Sequence, residues 1–313
     1  MFKLWKKNSK KAGADKARTA PLRRQTGVTE APGAEDMVGR AGKFEIVASV
    51  QTDVGCHREL NEDCGRIVQP GDSALLAAKG RLVIVADGMG GHSAGEVASS
   101  MAVEVINRSY YDDPDDAPSA LKNAFHEANS RIHESSLRDK SRNGMGTTCT
   151  ALVLWNGSAL AAHVGDSRLY LIRNEQIYLM TEDHSAVMEL VKRGLLTLAD
   201  ARHHPDKNVI LRALGSHPSV EVTSWEVPLP VRDGDRFLLC SDGLYDLVED
   251  NEIMSAVISQ DPHAACGSLI TLAKNRGGYD NITVAVLAVS AAESAAPEPV
   301  RATRQFRVGA SEE

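Results

Sequence analysis

Four apolar runs in this chain border an aspartate, and each run has the composition of a buried strand. Residues 81–86 lead into Asp87, residues 159–164 into Asp166, residues 237–240 into Asp242, and residues 282–287 follow Asp280. A carboxylate at the tip of an apolar strand is held rigidly at the edge of the core. Several carboxylates brought together there would repel one another unless a cation lay between them. Hard divalent cations take such oxygen ligands, so the pattern predicts a metal-dependent hydrolytic site.

The spacing of the apolar runs predicts an α+β fold. Apolar runs of strand length occur at 44–52, 81–86, 147–155, 158–164, 168–173, 220–227, 235–240 and 281–289. Apolar residues at helical spacing predict long helices at 93–110 and 117–137, and further helices fit 185–194, 251–260 and 263–275. Strand runs at hairpin spacing outnumber β-α-β units, which favours antiparallel sheets with helices stacked outside them.

The distribution of charge divides the chain into an acidic body and a basic arm. The 313 residues carry 35 basic and 42 acidic side chains, a net charge of −7. Residues 1–24 hold nine of the basic residues and one acidic residue, which leaves a net charge of −15 on the remainder. We expect a disordered arm at 1–42, one domain at 43–290, and a flexible tail rich in alanine, proline and glutamate at 291–313.

Composition also limits where the protein works and what it contacts. The sequence contains no run of 18 apolar residues, the length needed to span a membrane. Its five cysteines are odd in number and form no C-x-x-C pair. Such cysteines are typical of reduced core residues, so we expect a cytoplasmic protein. We also expect a monomer. The arm at 1–24 could contact nucleic acid or an anionic membrane surface. A solvated tail is the more common role of such a segment and is favoured over both.

Six short motifs follow one another in the order found in one enzyme family. They are Arg-Glu-Leu-Asn-Glu-Asp at 58–63, Asp-Gly-Met-Gly-Gly-His at 87–92, Gly-Met-Gly-Thr-Thr at 144–148, Gly-Asp-Ser-Arg at 165–168, Cys-Ser-Asp-Gly-Leu at 240–244 and Asp-Asn-Ile-Thr at 280–283. Over roughly 44–289 the chain resembles the metal-dependent protein phosphatases (PPM, or protein phosphatase 2C) in their bacterial form. The resemblance implies a four-layer α-β-β-α sandwich with two antiparallel sheets, a metal site at one end, and a small flap at about 181–215.

The resemblance implies a metal-binding role for three aspartates and one backbone carbonyl. Asp87 would bridge two metal ions, and the carbonyl of Gly88 would bind one of them. A glycine there lets the backbone approach an ion closely. Asp242 and Asp280 would be terminal ligands of one ion. Taken alone, Asp87 and Asp242 each stand in an Asp-Gly pair, which is a common turn.

Four further residues match functional positions of the family. Glu62 and Asp63 match acids that hold metal-bound waters or support the ligands, although an adjacent acidic pair is otherwise typical of a solvated turn. Arg58 matches the arginine that holds the substrate phosphate. An arginine suits this role because its planar fork of donors can bind two phosphate oxygens. Asp166 matches an aspartate that helps Asp242 hold a third, weaker ion, or it could support its own turn through Arg168.

One position near the predicted site differs between this chain and animal relatives. Animal relatives carry a histidine, a proposed general acid, where this chain has Met89, and methionine cannot donate a proton. A metal-bound water is the first candidate for the acid, and His92 is the second.

The charged flap is expected to cover the site loosely and to shape substrate choice. Its His203-His204 pair indicates metal binding only weakly.

The resemblance implies hydrolysis of phosphoserine and phosphothreonine in proteins by a water bridged between two Mg²⁺ or Mn²⁺ ions, in opposition to a serine/threonine kinase. The sequence offers no alternative nucleophile of the thiol-phosphatase type, because no cysteine is followed by five residues and an arginine. It also lacks a Walker phosphate loop. A phosphoprotein-binding pseudophosphatase adaptor is disfavoured because Arg58 and the ligand set are complete, whereas a small-molecule phosphatase stays open.

Overall fold

The computed structural model describes residues 5–6, 34–41, 44–90 and 94–292, with the backbone alone for residues 5–6, 40 and 41. Within these ranges the strands are Trp5–Lys6 (β1), Glu35–Ala41 (β2), Phe44–Asp53 (β3), Asp63–Val68 (β4), Arg81–Met89 (β5), Gly146–Thr147 (β6), Cys149–Trp155 (β7), Ser158–Val164 (β8), Arg168–Arg173 (β9), Gln176–Leu179 (β10), Val209–Ile210 (β11), Thr223–Ser224 (β12), Leu229–Pro230 (β13), Arg236–Cys240 (β14) and Ile282–Ala291 (β15). The α-helices are Ser73–Lys79 (α1), Ala94–Asp112 (α2), Ala117–Arg138 (α3), Ala186–Lys192 (α4), Leu198–His203 (α5), Asp242–Tyr245 (α6), Asp250–Ser259 (α7) and Pro262–Asn275 (α8).

Most of the strands form two antiparallel sheets. Among the described residues, sheet I has six strands in the order β10-β9-β14-β15-β3-β2. Sheet II runs β12-β8-β7-β5-β4, with β13 also paired to β8 and β6 to β5. A separate short pair joins β1 to β11. The predicted α+β class with two antiparallel sheets is therefore confirmed.

Alternation along the central strands explains why helices cover both outer faces. On β5, Val83 and Val85 pack between the two sheets, whereas Ile84 packs against α2 and α3. On β14, Phe237 points between the sheets and Leu238 points toward α7 and α8. Because the side chains of a strand alternate with a period of two, each sheet buries both of its faces. The result is the predicted order of layers, helices, sheet II, sheet I and helices.

Two of the outer helices begin where the sequence supplies a cap. The Asp116 carboxylate accepts a hydrogen bond from the Ser119 N–H at 2.8 Å at the start of α3. The Asp261 carboxylate accepts one from the Ala264 N–H at 3.0 Å at the start of α8. A proline follows each cap within the first turn, where its missing N–H costs nothing. These signals place both helix starts within a residue of the prediction.

Several elements differ from those the sequence predicts. Residues 35–41, expected in the N-terminal arm, form the edge strand β2, in which Met37 is buried and its described neighbours are not. Too little of β2 is apolar for an alternating pattern to appear. Of the strand expected at 220–227, only Thr223–Ser224 (β12) forms. Val222 is buried because it packs into the core between sheet II and helices α2 and α3, so its apolar character does not reflect strand pairing. The rest of the predicted arm, at 1–4 and 7–33, and the tail beyond residue 292 lie outside the described residues.

Antiparallel pairing brings several loops to one edge of the sandwich. Cys240, the last residue of β14, lies opposite Val284 near the start of β15 and opposite Arg168 at the start of β9. In sheet II, the end of β5 lies beside the start of β4. The loops that precede or follow these strand ends carry the predicted acidic residues. No helix in the described part of the chain is long and apolar enough to cross a membrane.

Candidate active site

Two of the predicted acids face each other across neighbouring strands. Asp63, the first residue of β4, lies directly opposite Asp87 of β5, and both are buried. The sequence placed Asp87 after the end of its strand, and this expectation is wrong. Strand β5 continues through Met89 because its last two residues pair with β6. The Asp87 N–H also donates to Thr148 Oγ1 at 3.0 Å, so the aspartate is held on both sides.

Gly88 lies where three backbone segments meet. Its N–H donates to the Glu62 carbonyl oxygen at 3.0 Å. A Cβ atom at this position would lie 2.1 Å from the Gly95 carbonyl oxygen and 2.5 Å from that of Glu62. A Cβ on Gly95 would in turn lie 2.5 Å from Glu62 Oε1. Glycine at both positions therefore lets the start of α2 and the loop before β4 close around the end of β5.

Asp242 and Asp280 lie at the same edge of sheet I. Asp242 is the first residue of α6 and is 2% exposed. Asp280 stands two residues before the start of β15. A Cβ on Gly243 would lie 2.0 Å from the Asn281 carbonyl oxygen, so the two loops are in direct contact. Both aspartates border the ends of their strands, as the sequence predicts.

Two polar residues that the sequence analysis did not single out connect these acids. Ser241 Oγ donates to Asp63 Oδ2 at 2.7 Å and accepts the Thr283 N–H at 3.0 Å. The Asn281 side chain accepts the Glu62 N–H at 2.8 Å and donates to the carbonyl oxygens of the 54–60 loop. Both residues lie inside the quoted motifs, next to Asp242 and Asp280, which is the signal that could have found them.

Arg58 reaches into this acidic edge. Its guanidinium donates to Asp280 Oδ2 at 2.7 Å, and its side chain is 31% exposed. Burial by itself lowers the pKa of Arg58, but the attraction of Asp280, with that of Glu62 and Asp87, outweighs burial and raises the pKa overall. The cation is therefore held among three of the predicted acids while part of it still meets solvent.

Asp166 sits beside an aromatic and charged cluster that includes the root of the flap. Asp166 is 3% exposed, and its carbonyl oxygen accepts a hydrogen bond from the Tyr245 hydroxyl at 3.0 Å. The Arg168 guanidinium lies 3.7 Å from the centre of the Tyr245 ring and binds both carboxylate oxygens of Asp183. Arg168 therefore joins the loop of Asp166 to the first residues of the flap.

Hydrogen bonds hold the flap at both of its ends. The His184 N–H donates to the Gly165 carbonyl oxygen at 2.7 Å, and the Gly165 N–H donates to His184 Nδ1 at 3.1 Å. At the far end, Leu214 and Thr147 exchange two backbone hydrogen bonds of 2.8 and 3.1 Å. Met89 packs with the flap residues Ile210 and Ala213 in a small buried cluster.

The two neighbouring histidines of the flap lie in different surroundings. His204 Nδ1 accepts the Asp206 N–H at 3.1 Å, so its ring caps its own loop. The neighbouring His203 is exposed at the end of α5. His92 lies outside the described residues.

The donor set fits a hard divalent cation. The four carboxylates of Asp63, Asp87, Asp166 and Asp242 are at most 8% exposed, and buried like charges need compensation. Carboxylate and carbonyl oxygens are the ligands that Mg²⁺ and Mn²⁺ take. Across 34–41, 44–90 and 94–292, no three His, Cys, Asp or Glu side chains are close enough to hold an ion as they stand. The chemistry of the donors and their shared edge, rather than a closed cage, indicate the metal.

Buried thiols are unsuited to act as nucleophiles. Cys149, Cys240 and Cys266 are buried, and all five cysteines are free. Burial raises the pKa of Cys266 to about 12 and raises the pKa of Cys64 and Cys240 above the ordinary range. Because the thiolate is the reactive form, the raised pKa values of Cys64, Cys240 and Cys266 disfavour a nucleophilic role for these three thiols.

Comparisons with known proteins identify the family. The sequence profile of the family Protein phosphatase 2C matches residues 70–265. The serine/threonine phosphatase stp of Listeria monocytogenes serotype 4b is 39% identical over 243 residues, which cover 76% of this chain and 93% of that protein. The crystal structure of the Mycobacterium tuberculosis serine/threonine phosphatase PstP/Ppp matches with a TM-score of 0.70 and 36% identity, over 78% of this chain and 99% of the other. The catalytic domain of PstP in complex with two manganese ions matches with a TM-score of 0.67 and 35% identity, over 79% of this chain and 99% of that one.

The paired sheets and the acidic edge, with an arginine beside it, define a metal-dependent phosphohydrolase. The chain belongs to the protein phosphatase 2C family and is a metal-dependent serine/threonine protein phosphatase of the bacterial type. The family, fold and reaction that the motifs predicted are thus confirmed. Nothing in the comparisons favours the adaptor or the small-molecule alternative.

Proposed function

We propose that the acidic edge holds two Mg²⁺ or Mn²⁺ ions for the hydrolysis of phosphoserine and phosphothreonine in proteins. The residues that would hold them are Asp87, which would serve both ions, the Gly88 carbonyl, Asp242 and Asp280. The observation that carries this proposal is the direct apposition of Asp63 and Asp87, tied to the Asp242 loop by Ser241. The PstP structure with two manganese ions supports the number of ions.

Three further carboxylates complete the proposed assignment. Glu62 and Asp63 hold waters around the ions, which suits cations that keep part of their hydration shell. Asp166 would help Asp242 hold a third, weaker ion. The position of Asp166 supports this assignment, because its loop lies beside Tyr245 of the short helix that Asp242 begins.

Arg58 binds the phosphate of the substrate in this proposal. A guanidinium carries five N–H donors, so one contact with Asp280 leaves others for phosphate oxygens. Its fixed positive charge favours the anion and stabilises the charge that develops on the phosphoryl oxygens during transfer. The contact with Asp280 also fixes the distance between the phosphate-binding cation and the metal-binding carboxylates.

The remaining roles follow from what the described residues carry. When bound, the ions supply Lewis acidity that lowers the pKa of water and neutralises phosphate charge. Met89 has no transferable proton and packs with the flap, so a water in the site is the first candidate for the proton on the leaving oxygen, and His92 is the second. The carboxylates and Arg58 therefore act by holding and orienting, with no covalent enzyme intermediate.

The wider setting is part of the proposal. The phosphatase domain spans about 43–290 together with the edge strand β2 at 35–41, with the flap at 181–215 shaping substrate choice and with tails before residue 35 and after residue 291. The protein is a cytoplasmic monomer that opposes a serine/threonine kinase. Five free cysteines support a reducing compartment. Replacing the flap with that of a relative should change peptide preference, and an unchanged preference would contradict its role.

Phosphate release from a phosphothreonine peptide, with and without Mn²⁺, tests the mechanism. We expect metal-dependent turnover that falls at least about 100-fold in Asp242→Asn, because loss of even a supporting partner of a ligand costs 10–100-fold. Asp112→Asn, which changes an exposed aspartate at the end of α2, is the matched control and should keep full activity. Full activity in a folded Asp242→Asn protein, or no turnover with any divalent ion, would reject the proposal.

A further inference from the structure

Two loops at the acidic edge are joined residue by residue. The segment at 56–58 runs beside the segment at 278–280, and each position contacts its counterpart. The three contacts are a backbone hydrogen bond of 2.8 Å from the Cys56 N–H to the Gly278 carbonyl, a ring pair of His57 and Tyr279 with centroids 5.1 Å apart, and the Arg58–Asp280 ion pair of 2.7 Å. His57 precedes Arg58 in one loop and Tyr279 precedes Asp280 in the other, so the aromatic pair lies next to the ion pair of the proposed phosphate-binding arginine.

This aromatic pair is open to solvent. Tyr279 is 63% exposed, and His57 is exposed as well. Leu60, two residues beyond Arg58, is also 47% exposed. A tyrosine that leaves most of its surface in water contributes little to the core, so the ring surface of Tyr279 is accessible to a ligand.

The ring of Tyr279 is nevertheless held in place. A Cβ on Gly277 would lie 2.4 Å from Cε2 and Cζ of Tyr279, so the ring rests on the Gly277 backbone. Gly277 has a φ of +123°, which favours glycine at this position. His57 flanks the ring with an interplanar angle of 31°. A ring fixed in this way loses little conformational entropy when a ligand stacks on it.

We infer that His57 and Tyr279 form a subsite for a large apolar side chain, aromatic above all, on a residue within two positions of the phosphorylated serine or threonine. The inference rests on the proposed function, in which Arg58 holds the phosphate. Successive Cα atoms of a peptide are 3.8 Å apart, so a neighbouring side chain can reach a surface one residue away from Arg58. Aromatic rings gain from offset or tilted stacking beyond the area they bury.

The test compares phosphothreonine peptides that carry phenylalanine or alanine at each of the two positions on either side of the phosphothreonine. The measured quantity is the ratio of kcat/KM between each phenylalanine peptide and its alanine partner. We expect a ratio of about 3 to 10 at one flanking position for the wild-type protein, the size of one aromatic contact. The ratio should fall toward one in Tyr279→Ala and in His57→Ala, and it should persist in Tyr279→Phe, which keeps the ring. Tyr178→Ala, which removes an exposed tyrosine on β10, is the matched control and should keep the wild-type ratio.

The outcomes separate this inference from the proposed function. Wild-type protein that cleaves every peptide with a ratio near one overturns the subsite while leaving the phosphatase mechanism intact. A ratio that survives unchanged in both Tyr279→Ala and His57→Ala overturns it as well. Failure to cleave any peptide with any divalent ion instead rejects the proposed function on which the subsite depends.

Discussion

Replacing Gly88 with alanine tests whether the site depends on close backbone packing. The new methyl group would lie 2.1 Å from one carbonyl oxygen and 2.5 Å from another, whereas ordinary contacts begin near 3.4 Å. Both oxygens belong to the backbone, so the start of α2 and the Glu62 loop must retreat by about 1 Å. Overpacking of this kind costs about 1–3 kcal/mol of unfolding free energy. A shift of about 1 Å in positioned groups can also cost about 100-fold in rate.

The assay for Gly88→Ala has three readouts. Urea unfolding gives the stability, calorimetric titration with Mn²⁺ gives the metal affinity, and phosphopeptide turnover gives the rate. Gly71→Ala is the matched control, because a Cβ there meets no atom within 4 Å. We expect all three quantities to fall in Gly88→Ala and to stay unchanged in Gly71→Ala. Wild-type metal affinity and turnover in Gly88→Ala would refute the argument that packing at Gly88 sets the position of its carbonyl.

Three further predictions concern the surroundings of the site and the core. Tyr245→Phe keeps the ring on Arg168 but removes the hydrogen bond to the Asp166 carbonyl, so urea unfolding should show a loss of about 0.5–1.5 kcal/mol, and Tyr245→Leu should lose more. Arg173→Met leaves Asp235, which is 1% exposed, without its two-pronged partner and should cost about 3–5 kcal/mol in the same assay; Arg173→Met combined with Asp235→Leu should recover much of this. Burial lowers the pKa of His163 to about 4 and of His184 to about 3, so the unfolded chain binds more protons than the folded one between about pH 6.5 and pH 4. The unfolding free energy should therefore fall as the pH is lowered through this window, and His184→Asn should reduce the slope; an unchanged slope would contradict the assignment.

The sequence predicted the central strands and long helices because their residues are buried on a regular period. Strands such as β5 are buried along their whole length, and α3 carries a continuous apolar stripe. Edge elements were missed because little of their surface is covered. In β2, Met37 alone among the residues at 34–39 is buried, and β10 is mostly exposed. Local pattern therefore identifies elements only where burial imposes the pattern.

The site residues divide in the same way between local motif and distant contact. The aspartates were predicted because each stands in a short motif beside an apolar run. Their supports were not predicted because the partners are far apart in the chain. Ser241 contacts Asp63 across 178 positions, and Asn281 contacts the Leu60 carbonyl across 221 positions. The position of Asp87 within β5 likewise depends on pairing with β6, which no local pattern around residue 87 reveals.

The long pairing of β3 with β15 has a consequence for how the enzyme is made. The two strands pair from Phe44 opposite Ala291 to Asp53 opposite Ile282, so β3 leaves the ribosome about 230 residues before its partner. Contacts this distant in sequence form late and slowly. Asp280 emerges with the same late strand, so the acidic edge stays incomplete until translation has passed residue 291. A nascent chain that has not yet received this strand also lacks Asp280, so we expect it to have no phosphatase activity.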